Sequence, residues 1–501
     1  MGSYIIAVDR GSTNTKAVVF DTCGEEILVS SVASQKPISV RTGWWEQDMD
    51  QVWKTASEAI RGVFAKGICP KDILGVITVG HGNGLMSIDC AGNPVGMGIH
   101  SLDCRADGVL GQWMEDGRYD KAIHTVGMPF PVGSPLPLMA WLMENAPETV
   151  TTIDKILFSK DWVNYKLCGV IGTDPSDASG AGLMDIRKGR YAYEIFDMLG
   201  LAAIVQKLPE IRLSHEILGH VTEQAAEETG LLAGTPVLVG AHDIAAFPLG
   251  IGAVDIRQIV SAVGTWGLNL IPVKSPNDYS AVLYHTVPDY YLTGAGDGNS
   301  GGCLDIMLQH LCTHERVLAE QKGISIYEYI EDMVTDCAPT GILFHPFLFG
   351  SAQSSSVGAG FTGLKNWHRK ADLLLSVLEG IVMGHWANIR MIPGYADIEF
   401  IWLVGGGARL QVFGRLFADI TGLRIKVPAA HEITARGGAL CALVGLGLCK
   451  DYTQAAIPAR IRAEYQPDPK RHIFYKKKFE IFQELIRSNQ DVWEKLETLE
   501  G

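Results

Sequence analysis

The sequence contains no uncharged apolar run of the roughly 18–20 residues that a membrane-spanning helix needs. The best candidate, residues 259–273, is interrupted by Trp266-Gly267 and by the polar side chain of Asn269. Residues 1–4 lead straight into an apolar segment, without a basic cluster or a small-residue cleavage site. We therefore expect a soluble, cytoplasmic protein with no membrane partner.

The ten cysteines form no CxxC pair and show no spacing typical of a zinc site. A chain of 501 residues is also long enough to fold without disulfide cross-links. We interpret the cysteines as reduced thiols, in agreement with a cytosolic location.

Positive charge is in deficit. Asp and Glu number 56 against 42 Lys and Arg, so the formal net charge is −14. Because nucleic-acid backbones select basic surfaces, this balance argues against DNA or RNA as a partner. It does not exclude a nucleotide, since one phosphate tail needs only local amide groups, a metal ion and one or two cations.

Apolar residues are abundant and follow alternating strand and helix patterns. Hydrophobic residues make up 47% of the chain and charged residues 20%, as in an ordinary globular protein. With 501 residues the chain exceeds the roughly 250–300 at which a single core stops growing, so at least two domains are expected. The alternation predicts an α/β fold. We place the boundary near Leu249, which gives an N-terminal domain of residues 1–248 and a C-terminal domain of residues 249–501.

The opening of the chain predicts three strands joined by tight turns, at residues 4–8, 17–20 and 27–33. A similar strand–turn–strand unit, at residues 259–263 and 267–273, indicates that the two halves are related. Further strands are predicted at residues 73–79, 236–240 and 400–404. The main predicted helices span residues 49–66, 105–114, 137–144, 159–167, 370–392 and 409–421, with a terminal surface helix at 473–499.

The first candidate site is the turn at residues 9–16, with the sequence DRGSTNTK. A phosphate needs unobstructed backbone N–H groups, hydroxyl donors and a nearby cation, and this turn supplies all three. Asp9, at the end of a strand, is suited to holding Mg²⁺ through water. An ordinary hairpin turn is the alternative, since Gly, Ser and Asn are common in turns. The turn is not a Walker loop, because GxxxxGK[ST] is absent.

The second candidate is Asp243, which follows the apolar strand at residues 236–240. A carboxylate between a strand and a helix can accept the proton of a hydroxyl. Asp is also a favoured helix N-cap, so a purely structural role stays open, and the two roles can coexist.

The third candidate is the glycine run at residues 405–407, followed by Ala408, between a strand and a helix. Bare backbone lets a flat ring or a phosphate approach closely. Glycines at such a position can equally serve close packing of the helix on the sheet. The same ambiguity applies to Gly264-Thr265 and to Gly301-Gly302.

In this order and at these separations, the candidate sites resemble the FGGY carbohydrate kinases. Four further segments match that family, namely residues 43–48 (GWWEQD), 160–162 (KDW), 173–179 (TDPSDAS) and 360–364 (GFTGL). The resemblance covers nearly the whole chain. It implies an α/β, two-domain, actin-like ATPase (ribonuclease H-like) fold with a catalytic cleft between a sugar-binding N-terminal domain and a nucleotide-binding C-terminal domain.

The resemblance also implies an ATP-dependent kinase that uses Mg²⁺ and phosphorylates a hydroxyl of a small ketose or polyol. Asp9 would hold the metal through water, and Asp243 would be the general base. Lys16 stands where other members carry Arg. The residues implied for ATP binding are Gly11, Ser12, Thr13, Lys16, Gly264, Thr265, Gly301, Gly405, Gly406 and Ala408.

The acceptor pocket is where the subfamilies differ. Glycerol kinases carry an Arg-Glu pair and D-xylulose kinases a Met-His pair in the segment that corresponds to residues 81–84, and this chain has neither. With residues 101–106 and 344–351, the segment is similar to the L-xylulose kinase branch; erythritol or another pentulose or polyol is the alternative acceptor. The residues implied for acceptor binding are His81, Gly82, Asn83, Asp103 and Asp243. A structural turn remains an alternative role for His81 and Asn83.

A function of another class, a non-catalytic sensor of sugar and ATP, is also compatible with this fold. Transcriptional regulators of that kind usually add a helix-turn-helix, and no basic N-terminal extension precedes the first strand. A chaperone-type ATPase would lack the segments at 43–48 and 173–179. The resemblance also allows a homodimer.

Overall fold

The computed structural model describes residues 2–254, 257–276, 281–351 and 356–500. The chain divides into two compact units. The first unit comprises Met1–Val254, Pro272–Leu292 and Ala430–Ala459, and the second comprises Asp255–Ile271, Thr293–Ala429 and Arg460–Gly501. The chain thus leaves the first unit after Val254 and returns to it twice. The boundary predicted between residues 248 and 249 stays a prediction.

The strands are numbered in chain order. They are β1 Tyr4–Arg10, β2 Asn14–Asp21, β3 Glu26–Ala33, β4 Ile38–Arg41, β5 Trp44–Gln47, β6 Ile73–Gly80, β7 Met86–Ile88, β8 Gly98–Ile99, β9 Lys155–Leu157, β10 Met184–Asp185, β11 Arg190–Tyr191, β12 Ile217–His220, β13 Pro236–His242, β14 Gln258–Val263, β15 Gly267–Val273, β16 Val282–Tyr284, β17 Tyr291–Asp297, β18 Leu343–His345, β19 Gly360–Thr362, β20 Phe400–Val404, β21 Arg424–Pro428 and β22 Ile461–Tyr465.

The α-helices follow the same order. They are α1 Met49–Ala65, α2 Asp107–Glu115, α3 Arg118–Val126, α4 Pro135–Asn145, α5 Pro147–Thr152, α6 Ser159–Cys168, α7 Pro175–Gly180, α8 Tyr193–Met198, α9 Glu223–Thr229, α10 Asp243–Gly250, α11 Gly301–Leu311, α12 Thr313–Lys322, α13 Ile326–Val334, α14 Lys370–Met391, α15 Gln411–Thr421, α16 Ile433–Gly445, α17 Tyr452–Ala455, α18 Pro469–Ser488 and α19 Gln490–Glu500. Short 3₁₀ helices span Pro70–Asp72, Ala202–Lys207, Tyr395–Asp397 and Gly407–Arg409.

The first unit is built on a six-stranded sheet with the order β12-β13-β6-β1-β2-β3. β1 pairs antiparallel with β2 and parallel with β6, and β6 pairs parallel with β13. Successive side chains of β1 point to opposite faces of the sheet. Ile6 and Val8 therefore pack with residues of α1 and α6, whereas Ile5 and Ala7 pack with residues of α16. Helices on both faces explain why the strand is apolar at nearly every position.

The second unit repeats the hairpin design. β14 and β15 are antiparallel, β14 pairs parallel with β20, and β20 pairs parallel with β21. Within this unit the neighbouring strands run in the order β17-β15-β14-β20-β21-β22. The long helix α14 is buried over most of its length, and its Glu379 accepts hydrogen bonds from Tyr475 and Lys478 of α18.

Most of the predicted elements are confirmed, with ends shifted by a few residues. The strand predicted at 400–404 coincides with β20, and the helix predicted at 370–392 corresponds to α14. The helix predicted at 409–421 begins only at Gln411, because residues 407–409 form a 3₁₀ turn. Short helices such as α7 and α8, each of six residues, gave too little periodicity to be predicted.

The single terminal helix predicted at 473–499 is wrong, because the chain forms α18 and α19 instead. The N–H of Asn489 donates to the carbonyl of Leu485 at 3.1 Å and ends α18, while the carbonyl of Asn489 accepts the N–H groups of Val492 and Trp493. The apolar pattern continues across this break, so it predicted one helix. Nor does α18 lie only on the surface, since Tyr475 and other residues of it are buried. Among the described residues, no helix is both long and apolar enough to span a membrane.

Acid should destabilise the first unit through His285, which follows β16 and is 4% exposed. Its Nδ1 accepts the N–H of Val287 at 2.9 Å, and burial lowers the pKa of His285 to about 3. The ordinary pKa is about 6.5, so protons bind the unfolded chain first as the pH falls. Between pH 8 and pH 5, the wild type should lose on the order of 2 kcal/mol more unfolding free energy than His285→Asn, whose Oδ1 can accept the same N–H.

Urea denaturation of both proteins at the two pH values measures this difference. His220→Asn, at an exposed position, is the matched control and should leave the pH dependence unchanged. A difference between wild type and His285→Asn that does not vary with pH would contradict the prediction.

Candidate active site

Three parallel strands of the first unit end at the same edge of the sheet. Arg10 of β1 and His242 of β13 both stand opposite Gly80 of β6 in the strand ladders. Residues at or just after these strand ends, which include Asp9 and Asp243, therefore lie at one edge. Ligands of α/β folds commonly bind at the carboxyl edge of parallel strands.

Asp9 carries a carboxylate that accepts no hydrogen bond from the described residues. It stands opposite Lys16 in the β1–β2 hairpin. Burial, reinforced by the negative charge of Asp243, raises the pKa of Asp9 to about 7, although Lys16 acts in the opposite direction. The side chain is thus a carboxylate whose negative charge is poorly compensated by the protein itself.

The turn after Asp9 presents exposed polar groups. The N–H of Gly11 donates to the carbonyl of Asn14 at 3.1 Å, and the side chains of Ser12 and Thr13 are exposed. Their hydroxyl groups form no hydrogen bond within the described ranges, so they are free to meet a ligand. This arrangement suits phosphate binding but is also that of a simple turn.

Lys16 is already engaged. Its Nζ lies 2.8 Å from Oε2 and 2.9 Å from Oε1 of Glu432, which precedes α16. Both side chains are only partly exposed. A phosphate that binds here would have to share or replace this ion pair.

Asp243 is the first residue of α10, and a third (33%) of its side chain is exposed. Its Oδ1 accepts the N–H of Ile244 at 2.6 Å and lies 3.3 Å from Nε2 of His242. Its Oδ2 forms no hydrogen bond with any described residue. Burial raises the pKa of Asp243, while His242 and the N–H of Ile244 partly offset that rise.

The helix-cap alternative for Asp243 gains no support from this geometry. The N-cap position of α10 is His242, and no side chain caps the helix. A capping Asp usually accepts an N–H two or three residues further along, whereas the backbone N–H that Asp243 accepts belongs to the next residue, Ile244. One carboxylate oxygen is therefore left for a ligand.

The segment at residues 81–84 forms a crowded loop beside Asp243. His81 Nδ1 lies 3.1 Å from the carbonyl oxygen of Arg10. A Cβ at Gly82 would come within 2.8 Å of both Asp177 Oδ1 and His242 Nε2, so a larger residue would have to displace one of these side chains. Asn83 has a left-handed φ of 60°, and its Oδ1 is buried without a partner.

Asp103 is fully buried, and its carboxylate is occupied by the protein. It accepts the N–H of Trp45 at 2.6 Å and both main-chain and guanidinium N–H groups of Arg105. Arg105 also binds Glu46 and stacks over the Trp44 ring at 4.3 Å. The predicted contact of Asp103 with the acceptor stays a prediction, and the geometry favours an indirect role through Arg105.

In the second unit the structure brings the predicted glycine segments together. The N–H of Gly301 donates to the carbonyl of Gly264 at 2.7 Å, and the N–H of Gly302 donates to that of Thr265 at 3.1 Å. Gly405 has a φ of +86°, and a Cβ there would lie 2.7 Å from the carbonyl oxygen of Val263. The turn after β14, the start of α11 and the turn after β20 thus form one surface.

Two of these residues differ in what they offer a ligand. A Cβ at Gly406 would meet nothing within 4 Å, so its exposed backbone is open to a ring or a phosphate. Ala408 is 5% exposed, and its carbonyl accepts a hydrogen bond from Arg462 at 2.7 Å. Ala408 therefore shapes the turn from behind.

Comparison with known proteins decides the family. The N-terminal domain model of the FGGY family of carbohydrate kinases matches residues 4–250, and the C-terminal domain model matches residues 259–446. The chain belongs to the FGGY carbohydrate kinases. It is an ATP-dependent sugar kinase with a two-domain, actin-like ATPase (ribonuclease H-like) fold, and the family prediction is confirmed.

Individual FGGY kinases resemble the chain over nearly its full length. The L-xylulose/3-keto-L-gulonate kinase of Escherichia coli (strain K12) is 30% identical over 500 residues, covering 98% of each chain. The autoinducer-2 kinase of Salmonella typhimurium (strain LT2) is 25% identical over 516 residues, covering 98% of this chain and 95% of that protein. The ligand-bound xylulose kinase structure from Lactobacillus acidophilus matches with a TM-score of 0.89 at 21% identity, covering 99% of this chain and 100% of that one.

FGGY kinases use ATP and typically Mg²⁺, and the first unit fits such a metal. Within the described ranges, no three or more His, Cys, Asp or Glu side chains are grouped to hold a metal ion. Mg²⁺ usually keeps several waters and takes only one or two carboxylates besides substrate phosphates. Asp9 suits that mode, because a cation beside it would relieve its repulsion with Asp243.

Sequence reasoning assigned no role to Lys160, although it recognised the segments at 160–162 and 173–179. Lys160 is completely buried, and its Nζ lies 2.5 Å from Asp161, 3.1 Å from Asp174 and 3.2 Å from Asp177. Burial alone would lower the pKa of Lys160, but the three carboxylates outweigh it and raise the pKa. The charged motifs were visible in the sequence, but their convergence on one ammonium group was not.

This cluster holds the end of β13. The Ser176 hydroxyl donates to Asp174 and accepts the N–H of His242 at 3.0 Å. Because Asp243 follows His242 directly, the cluster fixes the point from which the Asp243 carboxylate projects. Glu432, the partner of Lys16, was also missed, since nothing in the sequence links residues so far apart.

Replacing Lys160 should destabilise the first unit strongly. Lys160→Met keeps most of the apolar part of the side chain but leaves three buried carboxylates without the lysine cation. Breaking a buried ion pair from one side costs about 3–5 kcal/mol, so a large fall in melting temperature is expected in thermal unfolding.

Lys54→Met, at an exposed position of α1, is the matched control and should change stability by less than about 0.5 kcal/mol. If Lys160→Met melts at the wild-type temperature, the cluster does not hold the charges assigned to it.

Proposed function

We propose that the chain transfers a phosphoryl group from ATP to a hydroxyl of L-xylulose, with Asp243 as the general base. Asp243 is the proposed base because its Oδ2 accepts no hydrogen bond from any described residue. Asp243 also lies at the same edge of the sheet as Asp9. The acceptor is supported by the 30% identity with the E. coli protein named L-xylulose/3-keto-L-gulonate kinase. It also agrees with the absence of the Arg-Glu and Met-His pairs at residues 81–84.

In this proposal the residues of the first unit position and deprotonate the acceptor. Phosphoryl transfer needs alignment, charge stabilisation and one acceptor for the hydroxyl proton. Oδ2 of Asp243 accepts that proton, and the raised pKa makes it a stronger base than an ordinary Asp. Asp9 would hold Mg²⁺ through water, and the ion would neutralise phosphate charge.

The remaining predicted residues have roles in binding. His81, Gly82 and Asn83 line the part of the site that binds the acceptor sugar. Asp103 supports this part of the site through Arg105. The ATP phosphates and adenosine are assigned to Gly11, Ser12, Thr13, Lys16, Gly264, Thr265, Gly301, Gly405, Gly406 and Ala408. A homodimer also stays a prediction.

Erythritol is the second candidate acceptor, because erythritol kinases share the glycine-rich form of residues 81–84. A different polyol, or a pentulose, is the remaining alternative. The name of the E. coli relative adds 3-keto-L-gulonate, a related sugar acid. The non-catalytic sensor has no support from the named relatives, which are kinases.

An acceptor panel tests the proposal. In a coupled assay of ADP formation, L-xylulose should give the highest kcat/KM among L-xylulose, 3-keto-L-gulonate, erythritol, D-xylulose and glycerol. A pocket that satisfies the hydroxyls of one acceptor rejects others, so we expect about tenfold or more over glycerol and D-xylulose. The highest kcat/KM for either of these two would refute the assignment of the acceptor.

Substituting the proposed base tests the mechanism. Asp243→Asn keeps the shape of the side chain but removes the proton acceptor, so kcat should fall by about 10²–10⁴-fold while ATP still binds. Activity within about threefold of the wild type would exclude Asp243 as the base.

Asp48→Asn is the matched control for an Asp that acts only as a helix cap. Asp48 accepts the N–H of Asp50 at 2.8 Å at the start of α1. Asn caps helices as well as Asp does, so this variant should retain wild-type kcat.

A further inference from the structure

His100 lies beside the loop at residues 81–84, although no sequence motif pointed to it. It follows β8, and its main-chain N–H donates to the carbonyl of Trp45 at 2.9 Å. The residue is 4% exposed, and its ring centroid lies 5.6 Å from that of His81. Two imidazoles are therefore held side by side at the edge that carries Asp243.

The hydrogen bonds of the two rings fix opposite tautomers. His81 Nδ1 faces the Arg10 carbonyl, which can only accept, so Nδ1 carries the proton and Nε2 is an acceptor. His100 Nδ1 accepts the N–H of Leu102 at 3.2 Å, so Nε2 of His100 carries the proton and is a donor. Neither Nε2 atom has a partner among the described residues, and neither is sealed from solvent.

The surroundings keep both rings neutral. Burial lowers the pKa of His81 to about 3, and the positive charge of Arg10 acts in the same direction. Burial and Arg10 also lower the pKa of His100, against the effect of Asp103. The rings therefore offer a neutral acceptor and a neutral donor.

We propose that His100 and His81 form a donor–acceptor pair that binds hydroxyl groups of the acceptor sugar, and that His100 determines its specificity. A hydroxyl group both donates and accepts, so one hydroxyl or two neighbouring ones satisfy His81 Nε2 and His100 Nε2 together. This inference rests on the proposed function, because it places the acceptor beside Asp243.

The pair selects a class of acceptor. A carboxylate has no proton to give to His81 Nε2, so it can satisfy only His100. The end of the acceptor that meets the pair is therefore a neutral hydroxylated carbon chain. A sugar acid would have to place its carboxylate elsewhere in the site.

Paired substitutions separate ligand binding from structural support. His100→Asn can still accept the Leu102 N–H but no longer has a donor at the position of Nε2. His100→Gln places an amide N–H near that position but loses the contact with Leu102. His81→Asn and His81→Gln make the corresponding separation, because Asn keeps the bond to Arg10 and Gln keeps an acceptor near Nε2.

The expected result is that both Asn variants lose kcat/KM for L-xylulose by roughly 5–50-fold, mainly through KM, because a partner for a substrate hydroxyl is lost. Both Gln variants should stay within about threefold of the wild type, and KM for ATP should not change. Calorimetric titration with L-xylulose should show the same order of affinities. For the deoxy analogue of L-xylulose that lacks the hydroxyl bound by His100, His100→Asn should no longer lower kcat/KM.

The opposite order, in which Gln variants lose activity and Asn variants keep it, would overturn the proposal and assign both rings to loop support. Equal effects on L-xylulose and on every deoxy analogue would also overturn it. If the wild type prefers erythritol or 3-keto-L-gulonate, the proposed acceptor fails, and the same four variants are measured with the preferred compound. Whether the Asn variants or the Gln variants lose more kcat/KM for that compound then still decides the role of His81 and His100.

Discussion

Asp9 and Asp243 lie at one edge of the sheet in the first unit, and this placement of two carboxylates is the constraint that the rest of the site has to meet. Burial raises the pKa of Asp9, and the negative charge of Asp243 acts in the same direction. Two buried carboxylates at one edge of a sheet destabilise each other's charged form, so other groups must offset their charge. Lys16 and Arg10 offset part of this cost, and a hydrated metal ion fits the remainder. Asp9 is therefore suited to binding a cation, and Asp243 is suited to accepting a proton.

The buried cluster of Lys160 with Asp161, Asp174 and Asp177 contributes more to the positioning of neighbouring residues than to stability. Burying charges is expensive, and an apolar replacement of a whole buried ion pair is often no less stable. In this chain the cluster holds Ser176, whose hydroxyl accepts the N–H of His242 next to Asp243. A network with fixed hydrogen-bond directions places that backbone more exactly than apolar contacts, which have no direction.

Local patterns explain what could be predicted from the sequence. The β1–β2 hairpin, the strand before Asp243 and the strand before Gly405 each combine an apolar run with turn residues, so their ends could be located. The ion pair between Lys16 and Glu432 joins segments that are distant in sequence. The contact between His100 and His81 involves a residue, His100, that belongs to no recognised motif. Such contacts depend on the tertiary fold. The break at Asn489 was missed because both flanking helices share one apolar pattern.

The two hairpins share one backbone design but differ in the groups that flank their turns. In the first unit the ladder sets Asp9 opposite Lys16, whereas in the second it sets Val263 opposite Gly267. The first turn is thus flanked by charge, and the second is flanked by the bare backbone of Gly301 and Gly405. Charged groups suit a metal ion and a hydroxyl proton, while bare backbone suits a flat ring and phosphate oxygens. This difference agrees with the proposal that the first unit holds the acceptor and the metal ion and the second unit most of the nucleotide.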